Sequence, residues 1–202
     1  MSTSVWPGRS NQRRRTRKDL LAAAARLLKQ GRTPSIEEVA EEALVSRATA
    51  YRYFPTVDAL LVEAPLDSEV PDPQELFGDD TTLDPEERIS KAEASLHDVV
   101  WRNEKQLRLM LAHSLSGATP EGAAPSVPAR QDRRTPLIEA ALAPARNRLK
   151  KASYKKLCAA LALVLGTESM IVFRDVLQLD EKTAATVKDW AARALVRAAL
   201  HE

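Results

Sequence analysis

SIEEVAEEALVSRATAYRYF, residues 35–54, is the stretch from which the rest of the chain can be read. Ser35 stands three residues before Glu38, a capping-box pattern that opens a helix. Ile36, Val39, Ala40 and Ala43 then recur at helical spacing and give that helix one apolar face. Leu44-Val45-Ser46 leaves room for a tight turn, and Ser46 is a second N-cap that starts a helix over residues 47–54. Pro55 ends it. Two short helices joined by a three-residue turn have helix-turn-helix geometry, in which the second helix enters a DNA major groove.

The second helix would present Arg47, Ala48, Thr49, Tyr51 and Arg52. Each type suits a groove. Arginine bonds a guanine edge in two places, alanine touches a thymine methyl, and Thr and Tyr hydroxyls reach phosphates. Upstream, Leu20, Leu21, Ala24, Leu27 and Leu28 predict a helix over about 16–30, preceded by a polar arm that runs into Arg13-Arg14-Arg15. Downstream, a fourth helix begins at Thr56 or Asp58.

Residues 35–62 resemble the helix-turn-helix signature of TetR-type transcriptional regulators. The resemblance is carried by Ile36, Val39, Ala40 and Ala43, then by Val45-Ser46-Arg47, Thr49, Tyr51, Phe54-Pro55 and Leu60. It covers about residues 14–62; the remainder is similar in layout, with a loop, several helices and two long C-terminal ones. It implies that Arg47, Ala48 and Tyr51 approach bases and that Thr49 and Tyr53 contact phosphates. It also places Ser35 and Ser46 at helix N-termini that can face phosphates. Two positions depart from the family. Leu44 stands where the turn usually has glycine, and Val57 stands where the fourth helix usually starts with lysine. Arg13, Arg14 and Arg15 can compensate by following the backbone or entering a minor groove.

Charge is partitioned along the chain. The 202 residues carry 30 Lys+Arg and 28 Asp+Glu, a formal net charge of +2. Residues 1–60 hold 11 cations and 6 anions, whereas residues 61–100 hold 2 and 12. A basic end followed by an acidic stretch suits a molecule that meets a polyanion at one end only. The organisation expected is therefore a flexible basic arm (1–13), a DNA-binding unit (14–62) and a ligand-sensing and dimerising helical domain (63–202). The fold class expected is all-α: a three-helix helix-turn-helix unit joined to a C-terminal helical bundle. Residues 65–84 and 117–132 read as irregular, and helices are expected over 85–116 with a break near Asn103, then over 136–149, 154–177 and 181–200.

A single helix-turn-helix contacts few bases, so two copies reading a near-palindromic operator are expected. Leu161, Leu165 and Val172, with Trp190, Ala194 and Ala198 on the last helix, are the candidate pairing residues; Gly166 would permit close approach. The resemblance implies four helices, two from each protomer, and an effector pocket. Trp101, Met110, His113, Ser114 and Glu168 are its candidate lining, each polar or polarizable within a mostly apolar helix. The effector is a small molecule that the sequence does not identify.

Other functions fit less well. Cys158 is the single cysteine, and the three histidines lack ligand spacing, so no metal and no cofactor is expected. There is no Gly-rich phosphate loop and no nucleophile elbow, so no enzyme is expected. No apolar run reaches the length of a membrane span, and the basic N-terminus lacks the apolar stretch of a secretory signal, so a cytoplasmic protein without membrane partners is expected. The competing reading is a helical ligand- or partner-binding protein whose helix-turn-helix no longer binds DNA specifically.

Overall fold

A computed structural model describes residues 7–116 and 130–201. The first six residues of the expected arm, and residues 117–129 of the expected loop, lie outside the described residues. Among the described residues there are helices and no strand, as the sequence leads one to expect. No single helix among them is long and apolar enough to cross a membrane. The chain forms two compact units.

The first unit comprises α1 (Pro7–Lys29), α2 (Ile36–Glu42), α3 (Arg47–Tyr53) and α4 (Val57–Asp67). It also takes in α7 (Glu104–Ser116) from Lys105 onward, and residues 130–132. Helix α1 packs on α4 and α2, and α2 packs on α3. Leu20, Leu21, Ala24 and Leu27 of α1 meet Ile36, Val39 and Ala40 of α2, Phe54 after α3, and Leu60 of α4 in one buried core. These are the apolar stripes of the sequence, closed on one another. Helix α1 starts at Pro7 rather than near residue 16. Proline is favoured at a first helical position, where its missing N–H has no intrahelical partner to lose. Arg13, Arg14 and Arg15 are consequently helical residues.

The second unit holds α5 (Pro73–Phe77), α6 (Pro85–Arg102), α8 (Arg134–Ala141), α9 (Lys151–Val164), α10 (Thr167–Ile171) and α11 (Glu181–Leu200). Its core runs from Ile89, Ala92 and Leu96 on α6 through Leu137 and Ile138 on α8 to Leu157 and Leu161 on α9 and Val196 on α11. Helix α11 packs on both α6 and α9. The break at Asn103 and the span of α11 agree with expectation. Three details differ. Residues 65–84 are not wholly irregular, because Asp72 caps α5 through a capping box with Glu75 and Pro73 opens it. The helix expected over 136–149 is α8 followed by a 3-10 stretch, Ala143–Arg148, since Pro144 cannot donate to a continuing α-helix. The helix expected over 154–177 is broken at Leu165 and Gly166 and resumes as α10 and one π-helical turn, Val172–Val176.

Gly166 does allow a close approach, but by a side chain of the same unit. A Cβ there would lie 2.1 Å from the Arg134 guanidinium. That guanidinium donates to the Ala162 carbonyl at 2.6 Å and to Glu168 at 2.9 Å, satisfying the end of α9.

Candidate nucleic-acid interface

The turn between α2 and α3 fixes the angle of the second helix. The Val45 N–H donates to the Ala40 carbonyl at 2.9 Å, and the Leu44 N–H donates to the Glu41 carbonyl at 3.0 Å. This pair of bonds is a Schellman motif, which requires a left-handed residue at the position Leu44 occupies. Leu44 accordingly has φ +55° and a side chain that is 93% exposed. Glycine adopts that conformation freely, whereas leucine brings its Cβ against the following carbonyl. The departure from the family pattern therefore leaves the geometry of the turn intact at an energetic cost.

Both helix starts are capped as the sequence predicts. The Ser35 N–H donates to Glu38 at 2.8 Å while the Glu38 N–H donates to Ser35 Oγ at 3.3 Å. The Thr49 N–H donates to Ser46 Oγ at 3.2 Å, and the two hydroxyls lie 2.9 Å apart. Arg47 and Ala48 stand exposed on the first turn of α3, with Arg52 one turn later; Thr49 is half-buried beside its capping serine. Val57 is the first residue of α4 and half-buried, and its helix is capped by Thr56.

Tyr51 and Tyr53 each make contacts within the unit. The Tyr51 hydroxyl, although on an exposed side chain, donates to the Glu37 carboxylate at 2.9 Å, bridging α3 to α2. The N–H of Glu37 itself, and then that hydroxyl, hold the Glu37 carboxyl below the usual carboxylate range. The same bond pushes the Tyr51 phenol up. Tyr51 must exchange this partner to reach a base or phosphate. Tyr53 is buried in the core of the unit, with the Arg52 guanidinium 5.6 Å from its ring centre.

Two residues that the sequence did not single out hold α3 in place. Arg17, buried on α1, donates to the Tyr53 carbonyl at 3.1 Å and to Glu63 on α4 at 2.6 Å, and it lies 4.1 Å over the Phe54 ring. The other Glu63 oxygen accepts from the Gln131 N–H at 3.0 Å. One guanidinium thus ties three elements together at the exit of α3. The signal was present as an arginine inside the leucine stripe of α1, at a helical position that faces the core. Of the basic residues expected to reach DNA, Arg13 is half-buried, Arg14 pairs with Asp132 at 2.7 Å, and Arg15 is exposed.

The remaining candidates are distributed between the two units. Met110, His113 and Ser114 lie on α7 in the first; Met110 is buried, His113 is exposed, and the Ser114 hydroxyl donates to the Leu111 carbonyl. Trp101 and Glu168 lie in the second. Trp101 stacks on His97 with ring centres 4.8 Å apart, and Arg174 stands 5.7 Å over it. His97 belongs to a buried cluster in which the Lys188 ammonium is 2.8 Å from Glu93 and 3.4 Å from His97 Nδ1. Burial, then the Lys188 charge, lowers the His97 pKa to about 4. Of the pairing candidates, Val172, Trp190 and Ala198 are exposed and Ala194 is half-buried. Leu161 and Leu165 instead lie fully buried in the core of the second unit, because α9 turns that face toward α8 and α11.

Known proteins bear on the first unit. Residues 20–64 match the family model described as bacterial regulatory proteins, tetR family. No curated protein matches the chain. The matched residues contain α2, its turn, α3 and most of α4, the elements whose geometry is described above. The helix-turn-helix of the first unit is therefore similar to that of the tetR family of bacterial regulatory proteins over residues 20–64.

Proposed function

We propose that the protein is a homodimeric, sequence-specific repressor, released from its operator when a small molecule is bound by its C-terminal helices. The observation that carries the DNA reading is the first turn of α3. There Arg47 is exposed next to the small Ala48, on a helix held by the Ser46 cap and the Arg17 anchor. An arginine so placed can form two bonds to a guanine edge, and the alanine lets the backbone approach. Two such heads related by a two-fold axis would read half-sites about one helical turn apart. For release, the small molecule must bind more tightly to a conformation in which the head spacing is wrong.

Selection of bound duplexes from a random library tests this reading. Enrichment of a near-palindrome, with affinity falling steeply as salt rises, is the expected result. Weak binding of all duplexes alike would contradict it and favour a helix-turn-helix kept only as a structural element.

A further inference from the structure

Positive charge in the second unit is concentrated in residues 146–156. Arg146, Arg148, Lys150, Lys151, Lys155 and Lys156 fall within this run, and no Asp or Glu occurs between Glu139 and Glu168. All six side chains are exposed. The run closes the 3-10 stretch and opens α9. Arg146 lies 3.8 Å over the buried Tyr154 ring, which holds this cation against the first turns of α9. Lys151 and Lys155, four residues apart on that helix, share one face. Elsewhere the unit has the opposite sign: residues 70–100 hold nine Asp+Glu and two Lys+Arg.

Neither pairing nor helix energetics within the chain accounts for this charge. Among the described residues, Arg148, Lys150, Lys151 and Lys155 make no ion pair. Lys150 and Lys151 begin α9, which has no acidic residue in its first turn and no side-chain cap. Cations at that end oppose the helix dipole, and like charges one turn apart repel. The arrangement costs the folded chain stability, and an external anion relieves it. Exposed ammonium groups on flexible stems form no fitted cradle for a single ion; they suit a surface of repeated charge.

We infer that this surface binds the phosphate backbone of double-stranded DNA, as a second contact besides that of α3. The inference goes beyond the proposed function and takes from it only that the chain works on DNA. Charge complementarity supports it: B-DNA presents one negative charge per about 1.7 Å of its axis, and each cation that reaches a phosphate releases condensed counterions. Two other polyanions fit less well. Membrane-surface helices set large apolar side chains beside their cations, whereas Leu149 is half-buried and Tyr154 buried here. Single-stranded nucleic acid stacks on exposed aromatic rings, and the one ring in the run is covered by Arg146. Phosphate contacts carry no base information, so the surface adds affinity for any duplex without changing which sequence α3 reads.

The test is binding of the full-length chain to a mixed-sequence duplex over a salt series. Wild type is compared with Lys150→Gln, Lys151→Gln and Lys155→Gln combined, and with the same three lysines changed to arginine. Circular dichroism and urea unfolding check that each variant is folded. The glutamine variant should bind about 10- to 100-fold more weakly at about 0.1 M salt. Its slope of log affinity against log salt should be flatter by about 0.9 for each lysine that contacts a phosphate. The arginine variant keeps the charge and should match wild type. An unchanged slope and affinity in the glutamine variant would overturn the inference and leave base reading by α3 standing. A flattened slope in that variant, with no sequence enriched by the wild type, would keep the inference and overturn the operator reading. Phosphatidylserine vesicles that float the wild type but not the glutamine variant, at unchanged DNA slope, would assign the surface to a membrane and overturn the inference.

Discussion

Each unit contains a buried ion pair, and the two pairs are built differently. In the first, the Arg17 fork meets a carboxylate, a backbone carbonyl and an aromatic ring. In the second, the Lys188 ammonium faces Glu93 and the neutral His97. Burial lowers the Lys188 pKa and raises that of Glu93. A guanidinium offers several donors in a rigid plane and can lock several elements at once, whereas an ammonium is a point charge on a flexible stem. The first unit's buried cation thus links several elements at once, whereas the second unit's cation meets a carboxylate and an imidazole.

The largest effect that would sharpen this contrast is expected from Arg17→Met. It leaves Glu63 and the Tyr53 carbonyl without their buried partner and should cost about 3–5 kcal/mol, measured by urea unfolding. Adding Glu63→Met should recover part of the loss, since no charge is then stranded. A loss below about 1 kcal/mol would put Arg17 in the class of exposed pairs. Lys188→Met should cost about 3 kcal/mol, because Glu93, already pushed up by burial, can take up a proton once the ammonium is gone.

The second unit should also lose stability in mild acid. The unfolded chain protonates His97 near its ordinary pKa of 6.5, and the folded chain does so only near 4. Stability is then fully present above pH 6.5 and falls with decreasing pH by about 1.4 kcal/mol per pH unit across that window. Glu93 works in the opposite direction at the acid end. Calorimetry of His97→Gln should show a flatter dependence between pH 6.5 and 5; an unchanged slope would mean that His97 does not titrate there. Smaller still is Leu44→Gly. Relief of the left-handed conformation outweighs the added freedom of the unfolded chain, for a gain of about 0.5–1 kcal/mol. A destabilised variant would show that the exposed leucine has a partner in the folded protein.

These same residues show how far the sequence could be read. Caps are local, so Ser35, Glu38 and Ser46 announced α2 and α3 to within a residue, and the apolar stripes of α1, α2 and α4 closed as their spacing required. Helix α3, with exposed Arg47 and Ala48, was legible for the same reason. The pairing of Arg17 with Glu63 was not, although Arg17 stood inside the leucine stripe, because two charges 46 residues apart give no sign of meeting until α1 packs on α4. Leu161 and Leu165 were legible as apolar but not as facing inward. A helix with apolar residues on two faces does not declare which face is the core of its own unit. Asp72-Pro73 with Glu75 carried the same start signals as Asp84-Pro85, yet the surrounding Pro and Asp residues hid a five-residue helix.

Selection of bound duplexes with Arg47→Ala, beside the wild-type chain, is the most direct test of α3 as a base-reading helix. The variant should still bind the near-palindrome, more weakly by about 1–3 kcal/mol, and lose its base preference at one position in each half-site. The other positions should keep theirs. An enriched sequence identical to that of the wild type, at unchanged affinity, would show that α3 does not read DNA through Arg47.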